Sequence, residues 1–253
     1  MLNAIGRGKS DVAAIRAYLN LDSGLMSRLL RGLEGEGMVI VTADPEDGRR
    51  RLVSLTPVGA EEFAAYEELS NDRARALLAS HPHPEELLKA MDLVASALGR
   101  QNVELSEIDP RDPQAVYCLG EYYGELNKRL SKGFDVSLSC DPEAGDMMRP
   151  RGAFFVAFSD GMPLGCAGLK GTDKGYAEIK RLWVSPAARG LGLARRLMLE
   201  IEETARVLAI STLRLDTNSA LPEAVHLYQR SGWQEIPRFN TDPYPDKFFE
   251  KVL

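Results

Sequence analysis

Apolar positions in the first part of the chain recur at helical spacing, broken once by two strand-like runs. Val12, Ile15 and Leu19 form a stripe that predicts a helix over 11–19. The short turn Leu21-Asp22-Ser23-Gly24 follows. Ser23 is the expected cap of a second helix running to about residue 36, with Leu25, Leu29, Leu30 and Leu33 on its buried face, and Gly37 stops it. Residues 38–42 and 51–55 read as strands, separated by the charged turn Asp44-Pro45-Glu46-Asp47-Gly48-Arg49-Arg50. Thr56 followed by Pro57 opens a helix to about residue 79, because a cap with proline in the first turn suits helix entry. A further helix is expected over 85–98.

Beyond a candidate linker at 99–103 the rhythm changes. A strand is expected at 103–108 and a helix at 113–130. Residues 131–151 are polar with Gly and Pro, a loop with some helix. Strand-like runs then occupy 153–159, 164–170 and 176–184, with Asp160-Gly161 as a tight hairpin turn between the first two. A helix from 190 to about 208, a strand at 212–216, a helix over 221–231, a short strand near Trp233 and a last strand at 247–253 complete the pattern. Strands interleaved with helices place this part in the α/β (α+β) class.

Length adds a division into two domains, 1–98 and 104–253, since 253 residues exceed one average domain. A composition of 44% hydrophobic and 27% charged residues suits a soluble globular protein. The net charge of −6 works against nucleic-acid binding by the whole surface and leaves room for a local basic patch. Three cysteines, Cys118, Cys140 and Cys166, lack metal-ligand spacing, so no metal is expected. Their odd number argues against a disulfide framework and suits the cytoplasm. No apolar run reaches the roughly 18 residues of a membrane span, and the first residues lack a signal peptide's apolar stretch.

The chemistry concentrates at Arg189-Gly190-Leu191-Gly192-Leu193-Ala194. A strand ends just before it and a helix begins within it. Backbone N–H groups of such a loop, with a helix N-terminus behind them, form an anion cradle. Glycine at 190 and 192 lets the backbone approach a diphosphate, and Arg189, Arg195 and Arg196 add positive charge. Read alone, this fits any phosphate-bearing cofactor. It is not a P-loop, because no Gly-Lys-Ser/Thr follows, and Gly-x-Gly-x-x-Gly is absent.

The spacing Arg189-x-x-Gly192-x-Ala194 is similar to the signature of the GNAT acetyltransferase family. The later run Asn218…Ala224…Tyr228…Gly232-Trp233 resembles a second block of that family, with Trp233 where Phe is usual. The resemblance covers about 150 residues. It implies a GNAT acyl-CoA N-acyltransferase fold with a mixed central sheet and acetyl-CoA as cofactor. It also implies transfer of acetyl to a primary amine, on a small molecule or a protein lysine, by direct attack. On this resemblance Glu178 is the base and Tyr228 the proton donor to the thiolate. Leu182, Trp183 and Val184 pair with the pantetheine arm, Arg189 to Arg195 hold the pyrophosphate, and Asn218 contacts the cofactor. Each also has a plainer reading. Glu178 can be a strand residue paired with Lys180 or Arg181, Tyr228 a packing residue of an amphipathic helix, and Asn218 a helix cap. Cys166 reads as a packing residue and His226 as a surface one. The tail Asn240-Thr241-Asp242-Pro243-Tyr244-Pro245-Asp246-Lys247-Phe248-Phe249-Glu250 resembles a segment of one GNAT subgroup joined to MarR modules and reads either as part of the acceptor pocket or as a Pro-rich loop leading into the last strand.

Residues 11–59 resemble the winged helix-turn-helix of MarR-type regulators, through the recognition-helix motif Leu25-Met26-Ser27-Arg28-Leu29-Leu30-Arg31-Gly32-Leu33-Glu34, the Asp47-Gly48-Arg49-Arg50 wing and the Leu55-Thr56-Pro57-Val58-Gly59 exit. That implies Ser23, Ser27, Arg28 and Arg31 at the major groove of double-stranded DNA, with Arg49 and Arg50 at the minor groove or a phosphate. Glu34, Glu36, Asp44, Glu46 and Asp47 lower the local potential. The N-terminal stretch that helps MarR-type proteins dimerise is missing here, so a homodimer would rest on the helices at 61–80 and 85–98 or on the other domain. Two functions follow as expectations: an N-acetyltransferase joined to a DNA-reading module, or a transcription regulator whose GNAT fold only senses acetyl-CoA or another ligand.

Overall fold

A computed structural model describes residues 1–99, 102–138 and 145–253. Cys140, two residues of the expected linker and part of the loop at 131–151 lie outside the described residues. The chain divides into two compact units, Met1–Met91 and Asp92–Leu253.

In the smaller unit α1 (Leu2–Gly6), α2 (Val12–Tyr18), α3 (Ser23–Gly35), the antiparallel pair β1 (Val39–Ala43) and β2 (Arg51–Leu55), and α4 (Pro57–Ser80) enclose Ile5, Ile15, Met26, Leu30, Val39 and Val53. The cap of α3 is Asp22 and not Ser23: the Asp22 carboxylate accepts from Leu25 N–H at 2.9 Å, and Ser23 is already the first helical residue. Entry into α4 is built by three neighbours. Thr56 Oγ1 accepts from Gly59 N–H at 3.0 Å and donates to Gly37 carbonyl at 2.6 Å. Pro57 takes the first turn, where no N–H is needed. A Cβ on Gly59 would lie 1.9 Å from Met38 carbonyl oxygen, so only glycine lets the two backbones meet.

The two units divide within helix α5 (Pro84–Gly99). Its last turn belongs to the larger unit, where Ser159 Oγ donates to Gly99 carbonyl at 3.3 Å. That unit contains β3 (Val103–Glu107), α6 (Pro113–Arg129), β4 (Ala153–Ser159), β5 (Met162–Lys170), β6 (Ala177–Val184), α7 (Leu193–Val207), β7 (Thr212–Thr217), α8 (Pro222–Arg230), β8 (Gln234–Glu235) and β9 (Lys247–Val252). Seven strands pair in the order β3-β4-β5-β6-β7-β9-β8, all antiparallel except β6 with β7. The β4–β5 hairpin turns on Asp160 and Gly161, both at positive φ, the geometry whose twist matches paired strands. One core joins α7 to the sheet through Leu197, Ile201, Leu213, Leu215 and Phe249. A second joins α6 to it through Cys118, Phe154, Val156 and Trp183. No helix among the described residues is long and apolar enough to cross a membrane.

Helix α7 starts at Leu193, three residues later than its apolar pattern predicts. Gly190 and Gly192 both have positive φ, which an α-helix cannot contain, and a 3-10 turn fills Pro186–Ala188 instead. Farther along, Glu202 of α7 is buried and accepts from Lys251 Nζ of β9 at 2.7 and 2.9 Å. The same ammonium donates to Ser231 carbonyl at 3.1 Å. Lys251→Met leaves that carboxylate without its cation. Because Lys251 stays partly exposed, the expected loss is about 2 kcal/mol, read as a lower urea midpoint at unchanged m.

Candidate functional site

The site begins where β6 stops pairing with β7. Their parallel register runs from Ala177↔Leu213 to Ile179↔Leu215 and ends there. At the same place β6 bulges against β5, because the register jumps from Gly168↔Lys180 to Cys166↔Trp183. Arg181 is the extra residue, buried with φ +60°, and its carbonyl accepts from Cys166 Sγ at 3.2 Å. Past Ile179 the β7-facing edge of β6 has no ladder partner among the described residues.

Two adjoining clefts open along this edge. The larger, about 430 Å³, is lined by Leu182, Trp183, Val184, Arg189, Gly190, Gly192, Leu193, Ala194 and Arg195 of the expected cofactor set, together with residues of α6 and α8. Leu191 and Asn218 do not line it. The smaller, about 80 Å³, is lined by Lys180, Arg181, Asp216, Asn218, Tyr228 and Asp242 among others. Tyr122, Leu126, Leu182, Leu221 and Ala224 line both.

At the loop, a Cβ on Gly190 or Gly192 would meet nothing within 4 Å, so the space beside the backbone is open, and φ values of +77° and +80° are what demand glycine. Gly192 is the N-cap of α7, whose first-turn N–H groups at Leu193, Ala194 and Arg195 have no intrahelical acceptor. Arg189 is held within the chain: its Nε donates to Val184 carbonyl at 3.0 Å and its NH2 to Glu125 at 2.5 Å. Arg196 donates to Val103 carbonyl at 2.8 Å.

Glu125 ties three elements together, since it also accepts from Trp183 Nε1 at 3.2 Å and from Arg129 at 3.0 Å. Arg129 in turn pairs with Glu223 and donates to Ala220 carbonyl at 2.8 Å, which fixes the start of α8. The Arg129 guanidinium holds the Glu223 carboxyl below the usual carboxylate range. Sequence reading singled out neither Tyr122, Glu125 nor Arg129. The available signal was their shared helix face, at i, i+3 and i+7.

Tyr228 is buried, its ring set against Trp233 and Phe249 at centroid distances of 6.2 and 5.7 Å. Burial holds its hydroxyl well above the ordinary tyrosine range, and Tyr122 and Asp216 push the same way. Burial also pushes Tyr122 up to about 12, against the opposing effect of Arg181. Both phenols stay protonated at neutral pH and can donate. Glu178 is buried and lies 3.2 Å from Lys180 Nζ, which also binds Asp216 at 2.8 Å. Glu178 lines neither cleft. Burial alone would lower Lys180, but Asp216 and Glu178 outweigh it and keep the ammonium charged. Asn218 uses both ends of its amide locally, donating to Tyr244 carbonyl at 2.6 Å and accepting from Ala220 N–H at 2.8 Å. Cys166 is buried and His226 exposed.

The tail crosses the small cleft. Asn240 donates to Asp216 at 2.5 Å, the Tyr244 ring lies 4.7 Å from Phe134, and Phe134 stacks on Tyr123 at 5.7 Å.

In the smaller unit Ser23, Ser27, Arg28, Arg31 and Arg49 are exposed, the first four along α3. Arg50 is exposed too but is anchored, with its Nε donating to Asp11 at 3.0 Å and NH1 3.4 Å from Asp44. It ties the wing to the start of α2.

A model of the acetyltransferase (GNAT) family matches residues 121–233, and a model of the MarR family matches residues 1–50. An IAA acetyltransferase of Azospirillum brasilense is 37% identical over 157 residues, covering 60% of this chain and 99% of that protein. Among solved structures, a GNAT-family acetyltransferase from Staphylococcus aureus superposes with TM-score 0.52 at 19% identity, over 59% of this chain and 98% of that one. An acetyltransferase from Streptococcus agalactiae gives 0.52 at 20% identity, over 60% and 99%. At such identities these two likenesses speak for the fold alone.

Proposed function

Because this chain belongs to the acetyltransferase (GNAT) family, we propose that its larger cleft binds acetyl-CoA and that the enzyme passes the acetyl group to a primary amine by direct attack. The observation that carries this is the open edge of β6 beside the positive-φ loop at the start of α7. The α7 N–H groups suit a pyrophosphate. The edge at Leu182 to Val184, where no strand pairs on the β7 side, suits an amide-bearing arm lying alongside as an added strand. Acetyl-CoA supplies an activated thioester there. Tyr228, a protonated phenol whose burial holds it above the ordinary tyrosine range, gives a proton to the departing sulfur. The amine must lose its proton before attack. Glu178 is the assigned base, and since it borders neither cleft it acts through water. Asn218 shapes the turn between the clefts.

The residues of α3 and the wing support a second part of the proposal, contact with double-stranded DNA through Ser23, Ser27, Arg28, Arg31 and Arg49. Titrating a random duplex at rising salt is expected to give a slope of log K against log salt of about −3, reduced by about 1 in Arg28→Ala. A flat salt response removes DNA from the account.

Thiol release from acetyl-CoA with a panel of amines tests the catalytic reading against a pure ligand sensor. Amine-dependent release is expected. Tight acetyl-CoA binding without release for any amine would make the fold a sensor.

A further inference from the structure

The two clefts share a wall, and a thioester reaching along the larger meets an amine seated in the smaller at that wall. Among the described residues five line both clefts: Tyr122, Leu126, Leu182, Leu221 and Ala224. Four of these five are aliphatic, so Tyr122 alone brings a side-chain hydrogen-bond donor to the junction. Tyr228 lines the smaller cleft and not the larger.

Helix α6 is held so that Tyr122 stays at this wall. One turn further along, the Glu125 carboxylate accepts from Trp183 Nε1 at 3.2 Å and from Arg189 at 2.5 Å. Those bonds fix α6 against β6 and against the loop before α7. The Tyr122 ring lies 5.6 Å from that of Tyr123. Burial pushes its phenol up to about 12, so at neutral pH the hydroxyl keeps its proton and donates. Direct attack of an amine on an acetyl group builds negative charge on the carbonyl oxygen. A donor already in place at that oxygen, beside aliphatic neighbours that exclude water, is far stronger than the same bond in bulk solvent.

We infer that Tyr122 is a further catalytic residue, its hydroxyl donating to the acetyl carbonyl oxygen as the amine adds. This rests on the transferase reading above and adds a group at the reacting carbonyl of that same site. The amine nitrogen bonds to the acetyl carbon, and the carbonyl electron pair moves onto the oxygen held by Tyr122. That pair returns as the carbon–sulfur bond breaks. The sulfur leaves with the bonding electrons and takes the Tyr228 proton, and the amine proton passes to the base. Tyr122 keeps its own proton throughout, so the two tyrosines serve different atoms.

Tyr122→Phe removes one oxygen and keeps the ring beside Tyr123. Isotopically labelled acetyl-CoA, bound without amine, is compared by infrared difference spectroscopy in wild type and variant. The labelled carbonyl band is expected at lower wavenumber in wild type than in the variant, and lower than in water, because a strong donor on the oxygen weakens the double bond. With an amine, kcat for thiol release should fall about 10²- to 10³-fold in the variant, as on losing one such donor, while KM for acetyl-CoA stays within about threefold. The drop should recur in a Tyr228→Phe background, since the hydroxyls act on different atoms. An unchanged rise in Tm with acetyl-CoA shows that the variant keeps its fold and its cofactor cleft. Coincident carbonyl bands, or an unchanged kcat, overturn the assignment of Tyr122 and leave the transferase reading standing. A wild type that gains Tm with acetyl-CoA yet releases no thiol with any amine sinks both.

Discussion

Tyr228→Phe will lower kcat for thiol release by about 10²- to 10³-fold while KM for acetyl-CoA stays within about threefold, the size expected on losing one positioned proton donor. The substitution removes a single oxygen and keeps the ring that packs against Trp233 and Phe249. Stability is therefore expected to change by less than about 1 kcal/mol, so that a rate loss cannot be ascribed to unfolding. The buried hydroxyl, in the wall of the smaller cleft, stays protonated at working pH, and burial moves it further above the ordinary tyrosine range. An unchanged kcat would reduce Tyr228 to a packing residue and leave Tyr122, which lines both clefts and is pushed up to about 12, as the proton donor to test next.

Lys180→Met is expected to destabilise the larger unit by about 4 kcal/mol, within the range for stripping the cation from a buried ion pair. The ammonium stands between Glu178 and Asp216 at 3.2 and 2.8 Å, on neighbouring strands that splay apart one residue earlier. Without it two carboxylates face each other in a poorly hydrated site, and Asp216 keeps the Asn240 amide as a donor. Urea unfolding measures the loss. Adding Glu178→Gln and Asp216→Asn should restore most of it, because the desolvated charges disappear together. If the single substitution costs under about 1 kcal/mol, the triad contributes little to the fold and its carboxylates are better solvated than their burial suggests.

These two residues also mark how far the sequence could be read. The strands and helices of the larger unit stand close to their periodic boundaries, and the glycine-bearing loop that leads into α7 was legible because all its parts are contiguous. Thr56, Pro57 and Gly59 were legible for the same reason. The start of α7 was not, since apolar spacing continues through two glycines whose positive φ forbids helix. Helix α1 has five residues, too few for a period to emerge. Asp22 and Ser23 are both good caps, and only the carboxylate's reach to Leu25 decides between them. At the site, the bulge at Arg181 is a property of strand pairing and leaves no mark in one strand's sequence. Glu125 meets Arg189 across 64 positions, and Tyr244 meets Asp135 across 109, distances over which no local pattern speaks. Glu178 lies on β6, and of its two sequence readings the structure shows the pairing with Lys180, an ion pair whose geometry depends on strand position and not on one residue's neighbours in sequence.

The cradle at the start of α7 is tested most directly by acetyl-CoA titration of wild type and Gly192→Glu, followed by thermal unfolding. Ligand at a hundredfold excess over Kd stabilises the folded state by about 2.7 kcal/mol, which corresponds to a rise in Tm of roughly 5–10 °C for a unit of this size. Gly192→Glu places a carboxylate where the α7 N–H groups converge. Open space around that position lets the variant fold at a backbone cost of about 1–2 kcal/mol for a side chain at φ +80°. The expected result is a clear shift for the wild type and none for the variant. No shift for the wild type at millimolar acetyl-CoA, or equal shifts for both proteins, would contradict the assignment of this loop as the cofactor's anchor.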